Sequence, residues 1–272
     1  ADRRSRTRSD ALTTAEQTDW ERWCAARERA LAGPESWLGL SGLYWLEEGA
    51  NRVGSDPASA VVLPHGAAHL GELLWRGEAL LWAPVAGERQ PLTSDRHGAP
   101  TVVTSGDSAF FVIERDGRFA VRVRDRSWAA RMPFAGIERF DYNPAWRIDA
   151  AWCPLDPPQV MEVPNVTGEM KAVTVAWQAV FEIDGKSVAL LPMSVSDEKA
   201  FFVFRDATSG RISYGAGRFL DVPPAENGRI VLDFNFAYSP PCAFTPFATC
   251  PLPPPENWLP FAVEAGEKRY SG

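Results

Sequence analysis

The residues best suited to chemistry crowd into one stretch near the C-terminus. It runs Asp233-Phe234-Asn235-Phe236-Ala237-Tyr238-Ser239-Pro240-Pro241-Cys242 and on through Cys250 to Glu256-Asn257. Seven prolines between residues 240 and 257 exclude a helix or a central strand. Phe244, Phe247 and Leu252 nevertheless call for burial. A non-regular chain carrying aromatic groups has to be pinned by hydrogen bonds, because buried amides need partners. Asp233, Asn235 and Asn257 are of the type that supplies them. Proline stiffness lowers the entropy lost on ordering such a loop, so it can also hold polar groups in a fixed constellation. Asp233 is therefore a candidate acid or base and Cys242 a candidate nucleophile. Arg124, Arg218, Asn235, Tyr238 and Asn257 are candidate substrate contacts.

Cys242 and Cys250 stand eight residues apart in the same loop. Three fates fit: two small buried thiols packed under Pro and Phe, a redox-sensitive or disulfide pair, or a catalytic or metal-binding thiolate, for which Arg218 or Lys268 would supply a cationic neighbour. Arg122, Arg124 and Arg126 alternate with valine and aspartate, so period two sets the guanidiniums on one strand face. Such a face is either solvated or salt-bridged, or else an anion-binding wall, and Arg147 is a second candidate for the latter. His65 and His69 have helical metal-site spacing, but Pro64 and Gly66 argue against a helix, and no Cys, Asp or Glu lies beside the pair. Solvated loop histidines are the expectation, and no metal is assigned. With three histidines in the chain, Ser-His or Cys-His catalysis has little support.

The elements that must position these groups follow from the patterning. Thr13 or Thr14 caps a helix running to about Ala32, where Gly33-Pro34 stops it. Its apolar face is Trp20, Trp23, Cys24, Arg27 and Leu31. Beyond Ser36, short apolar or alternating runs end in turn residues. Ala109–Ile113 and Phe119–Val123 flank Asp116-Gly117, and Val173–Ile183 and Ser187–Leu191 flank Asp184-Gly185, both strong hairpin signals. A third hairpin is expected from Ala200–Arg205 and Arg211–Gly215 around Thr208-Ser209-Gly210. Many short strands with little helix between them, in a chain holding 23 prolines and 21 glycines, predict an all-β, antiparallel sandwich or barrel in two units with an N-terminal helix. The expected division is a disordered tail over 1–12, helix and strap over 13–46, a first β unit over 47–132, and a second over 133–272 that carries the Pro-rich cysteine loop. Gly54-Ser55-Asp56-Pro57 followed by Val61-Val62-Leu63-Pro64 is similar to the opening of a forkhead-associated sandwich. Ala67-Ala68-His69 lacks the Ser-Arg pair with which that family holds phosphothreonine, so the similarity extends to the fold at most.

A net charge of -7 argues against a dedicated nucleic-acid binder. No run approaches the ~18 apolar residues of a membrane span. Arg3, Arg4, Arg6 and Arg8 are followed by no apolar segment of a signal peptide, and four cysteines are too few for a disulfide scaffold. A cytoplasmic setting is the expectation. The residues identify neither a cofactor nor the oligomeric state.

The C-terminal run also resembles a known family, the uncharacterised domain-of-unknown-function 1684 family. The resemblance rests on Asp233-Phe234-Asn235-x-Ala237-Tyr238-x-Pro240-Pro241-Cys242-Ala243-Phe244, on Ala248–Pro253, and on Glu256-Asn257 and Ala265–Lys268. Upstream it includes Trp37–Leu46, Gly54–Asp56, Arg122–Asp125 and Tyr214–Leu220. Ser239 stands where the family pattern implies asparagine. The resemblance implies no activity. Two functions of different class are carried forward: an enzyme acting on a small polar or anionic metabolite in a cleft lined by the 233–257 loop, and a non-catalytic small-molecule or protein-binding module in which that loop is structural.

Overall fold

The computed structural model describes residues 2–166 and 168–272, with side chains from residue 15 onward. The chain divides into two compact units: Ala30–Phe134, and Ala1–Arg29 together with Ala135–Gly272. Helix α1 is Asp2–Ala32. The Thr13 or Thr14 cap and the tail expected over 1–12 fall where side chains lie outside the described residues.

Unit Ala30–Phe134 holds nine strands: β1 (Leu40–Trp45), β2 (Gly49–Gly54), β3 (Val61–Val62), β4 (Gly71–Arg76), β5 (Ala79–Pro84), β6 (Gln90–Pro91), β7 (Val102–Ser105), β8 (Ser108–Arg115) and β9 (Arg118–Asp125). A short helix, α2 (Trp128–Arg131), follows. The strands form two sheets, β1-β9-β8-β7 and β3-β2-β4-β5-β6, antiparallel except where β2 meets β3. Their inner faces share one core in which Val53, Leu73 and Trp82 of one sheet meet Phe110, Val112 and Val121 of the other. This is a β-sandwich.

The remaining strands are β10 (Arg147–Pro164), β11 (Met170–Ile183), β12 (Lys186–Leu190), β13 (Ser194–Val195), β14 (Ala200–Phe204), β15 (Arg218–Val222) and β16 (Arg229–Asp233). They form the antiparallel sheets β12-β11-β10-β16 and β13-β14-β15. Phe181, Phe202, Phe204, Leu220, Ile230, Leu232 and Phe234 fill the core between them. Each such side chain contributes roughly 1.5–3 kcal/mol through burial. The all-β class with one N-terminal helix is as the patterning predicts.

The hairpin signals work through backbone geometry. Asp116 and Gly117 have φ of 50° and 76°, and Asp184 and Gly185 have 51° and 72°. Positive φ at both central residues gives the turn whose twist matches paired strands. Asn227-Gly228 repeats it at 51° and 73° ahead of β16. The third expected hairpin is corrected. Arg211–Gly215 forms no strand, and β14 pairs instead with β15. Asp206 Oδ1 accepts Thr208 N and Oγ1 while Thr208 O accepts the N–H groups of Arg211, Ile212 and Ser213, coiling the chain before it can extend. Strand β10 was hidden by Pro154, Pro157 and Pro158, which cannot donate to a ladder. The register breaks between Pro154 and Gln159, where that loss costs no pairing.

Candidate functional site

Strands β10 and β16 pair with Arg147 opposite Asp233 and Asp149 opposite Val231. Period two turns Ile148, Ala150, Ile230 and Leu232 into the core. The other face carries Arg147, Asp149, Arg229, Val231 and Asp233, which wall a cleft of about 790 Å³. Asp221 at the end of β15, the Pro223–Asn227 turn, and Glu16 and Asp19 of α1 complete it. The lining holds six carboxyl groups (Glu16, Asp19, Asp149, Asp221, Glu226, Asp233) against two guanidiniums (Arg147, Arg229). Both guanidiniums are engaged: Arg147 Nε meets Glu16 Oε1 at 3.0 Å, and Arg229 Nε meets Asp149 Oδ1 at 3.1 Å. Asp221 receives Lys199 Nζ at 2.7 Å and the Tyr238 hydroxyl at 2.8 Å.

Asp233 ends β16 and caps the single turn Phe234–Phe236. Its Oδ1 accepts Asn235 N at 3.1 Å and Asn235 Nδ2 at 2.8 Å. Among the described residues no hydrogen bond is made to its Oδ2. Burial pushes its pKa above the ordinary carboxylate value, and Glu16 adds to that rise, against the pull of the Asn235 bonds and of Arg147. The carboxyl thus has one oxygen fixed, a second that is unbonded, and an elevated proton affinity at a cleft wall, the combination that suits acid–base work.

The other sequence candidates are placed differently. Asn235 is buried and clamps residue 143, its Oδ1 accepting Asn143 N at 3.0 Å and its Nδ2 donating to Asn143 O at 2.9 Å. Its carbonyl accepts Trp20 Nε1 at 3.0 Å, which docks α1. Asn257 is buried and joins the residue that follows β12 to β14: Oδ1 accepts Leu191 N at 2.9 Å, and Nδ2 donates to Leu191 O at 2.8 Å and Val203 O at 2.9 Å. Arg218 is fully buried, bonded to Asp206 Oδ2 at 2.8 Å and to the carbonyls of Val263 and Ala265. The two asparagine side chains are saturated by protein groups, and the Arg218 guanidinium is held through both terminal nitrogens while its buried Nε has no hydrogen-bond partner among the described residues. Tyr238 reaches the cleft only through Asp221; its ring packs edge-on against Phe219, under the Arg27 guanidinium.

Cys242 does not line the cleft. It packs with Cys250, Tyr238 and Met193 in a separate cluster, so Asp233 and Cys242 are not brought together. Arg124 lies in the other unit on β9, paired with Glu35 and stacked on Phe111. Arg122 and Arg124 are buried, with Arg122 over the Trp37 ring, whereas Arg126 is exposed, so this face is salt-bridged and aromatic-covered at Arg122 and Arg124 and solvated at Arg126.

His65 departs from the solvated-loop expectation. Its Nε2 lies 3.2 Å from Asp125 Oδ1 and 3.4 Å from Ser127 Oγ, and Asp125 also binds Arg131. The residue types are those of a hydrolase triad, but carboxylate and hydroxyl meet the same ring nitrogen. A relay needs them on opposite nitrogens.

Of the cleft, the sequence signalled Asp233 and Arg147. It missed Asp149, Arg229 and Asp221, although the Arg147-x-Asp149 and Arg229-x-Val231-x-Asp233 spacings are period two and mark one strand face.

An all-β unit whose terminal proline-rich segment is stapled by buried asparagine, arginine and aspartate side chains is thus the class of protein this chain presents. The family of proteins of unknown function DUF1684 matches over residues 132–268, spanning β10–β16 and the whole proline-rich segment, and the chain belongs to that family. The upstream resemblances at 37–56 and 122–125 lie outside that match. Among solved structures, the solution NMR structure of an uncharacterised protein from gene locus rrnAC0354 of Haloarcula marismortui is 34% identical. The similarity covers 51% of this chain and 78% of that one, with a TM-score of 0.42. No curated protein matches. No helix among the described residues is long and apolar enough to cross a membrane.

Proposed function

We propose that the Asp233 cleft binds a small polar ligand bearing positive charge, an amine or guanidine carried on a hydroxylated frame, and that Asp233 exchanges a proton with it. The proposal rests on one observation: a half-buried carboxyl of raised pKa, fixed through one oxygen, at the wall of a cleft of about 790 Å³ whose other ionisable groups are mostly acidic. Six carboxyl groups facing two already paired guanidiniums favour a cation over an anion. This narrows the expected polar or anionic metabolite to a polar one that carries positive charge. Lys199 already contacts Asp221, so the site has a protein ammonium as precedent. A cytoplasmic setting belongs to the same proposal.

The test is a thermal-shift panel of amines, guanidines and amino sugars beside organic acids and sugar phosphates. Cationic members raise the apparent stability of the native state. Asp233→Asn keeps an oxygen for Asn235 and removes the charge, so it folds and loses the shift. Once a reaction is found, the variant loses about 10²–10⁴-fold in turnover. Stabilisation by anions alone, or an undiminished shift in Asp233→Asn, overturns the proposal.

A further inference from the structure

We propose that Cys242 and Cys250 are a redox-modification site, a dithiol that a hydroperoxide converts into an intramolecular disulfide closing the 242–250 loop. The site is independent of the Asp233 cleft. Cys242 sits on the single turn Pro241–Ala243, and its N–H donates to Cys250 Sγ at 3.3 Å. Neither cysteine is in a disulfide, and both lie in one packed cluster. Their backbones are tied down separately: the Tyr214 hydroxyl donates to Cys242 O at 2.9 Å, and Val166 N donates to Cys250 O at 3.0 Å. The loop ends therefore hold the sulfurs together at no further entropic cost, the condition under which one thiol intercepts an oxidised neighbour.

The two positions differ as attacking and resolving thiols differ. Cys242 is half-buried and reachable, whereas Cys250 is 5% exposed. The hydrogen bond from Cys250 holds the Cys242 thiol below its ordinary pKa, with Tyr214 assisting against the opposing effect of burial. Cys24, by contrast, is pushed up to about 11 by burial, which leaves it protonated and unreactive at neutral pH. A metal is the weaker use of the pair. Two sulfurs fall short of a four-ligand zinc set, and among the described residues no group of three or more His, Cys, Asp or Glu side chains gathers.

The chemistry balances in two steps. The Cys242 thiolate attacks the peroxide, so that an S–O bond forms, the O–O bond breaks, and the alcohol or water leaves with the proton. Cys250 then attacks the resulting sulfenic sulfur, so that an S–S bond forms, the S–O bond breaks, and water leaves. Two thiols are oxidised by two electrons, and one hydroperoxide is reduced to alcohol and water.

The full chain is treated with stoichiometric hydrogen peroxide, alkylated, digested without reductant and mapped by mass spectrometry. The expected product is a peptide pair joined at residues 242 and 250, short of two hydrogens and recovered as free thiols by dithiothreitol, with Cys24 still alkylatable. Before oxidation, Cys242 alkylates at least about tenfold faster than Cys24 at neutral pH. Cys250→Ser accumulates a dimedone-trappable sulfenic acid at residue 242, and Cys242→Ser gives no cross-link. If both wild-type thiols stay alkylatable under peroxide that oxidises glutathione, or if the only disulfide formed joins two chains, the proposal fails; neither result depends on a variant folding.

Discussion

Replacing Arg218 by methionine removes a guanidinium with no access to solvent and leaves a carboxylate in the same condition. Arg218 and Asp206 have side chains of zero exposure, joined at 2.8 Å. Asp206 Oδ2 also accepts Val263 N at 2.7 Å, but an N–H dipole does not neutralise a buried charge. Breaking one side of such a pair costs about 3–5 kcal/mol. The carbonyls of Val263 and Ala265 lose their donor as well, each worth about 1–3 kcal/mol if it finds no other. Methionine keeps much of the aliphatic stem but loses the guanidinium that lies 5.2 Å over the Phe204 ring, so the loss is mainly electrostatic. A loss of at least about 3 kcal/mol is a large share of the ~5–15 kcal/mol that holds a domain folded. The assay is urea unfolding followed by tryptophan emission, since Trp146 and Trp152 pack against this core. A double-mutant cycle with Asp206→Asn separates charge pairing from packing: with the orphan charge gone, the double variant costs less than the sum by on the order of 1–3 kcal/mol. A loss below about 1 kcal/mol, or additivity, would refute the argument and return Arg218 to the pool of ligand-binding candidates.

Asn257→Ala strands Leu191 N–H and the carbonyls of Leu191 and Val203, and is expected to lower unfolding stability by at least about 2 kcal/mol in the same urea assay. Asp233 has a raised folded pKa, so the native state holds its proton longer than the unfolded chain does. Its contribution to stability is present at acid pH and is lost as pH rises through the folded value. Asp233→Asn should therefore flatten stability against pH across the carboxylate range, and denaturant curves at stepped pH that stay parallel to wild type would contradict this. Gly266 has φ +78°, and an added Cβ would stand 2.4 Å from the Ala237 carbonyl oxygen. Gly266→Ala is expected to cost at least about 1–2 kcal/mol from backbone conformation alone, read as a lower melting temperature. Glu267 is fully buried and accepts Arg27 Nε at 2.8 Å and Ser239 N at 2.7 Å. Arg27→Met should loosen α1, seen as faster amide exchange in the helix with β10 and β11 unchanged.

Local signals carried far in this chain. Asp-Gly pairs at 116–117 and 184–185 specify turns because the backbone conformation they need is a property of two residues. Proline density between 240 and 257 is enough to forbid extended regular structure there, and the segment holds no helix longer than the single turns Pro241–Ala243 and Pro255–Asn257 and no strand pairing beyond the isolated bridge of Pro251 to Asn165. The need for Asp233, Asn235 and Asn257 to pin that segment follows from the same local demand for amide partners. What those residues do beyond pinning was decided by partners distant in sequence. Asn257 meets Leu191, Arg218 meets Asp206 and Val263, and Asn235 meets Asn143, so most of their polar atoms are taken by contacts that sequence spacing cannot reveal. Cys242 and Asp233 are nine positions apart yet lie in different clusters, whereas Asp233 faces Arg147 because β16 pairs with β10. Residue type fixes the chemistry a group can do. Strand register and burial fix which groups meet and which remain accessible, and these arise only when the whole sheet assembles.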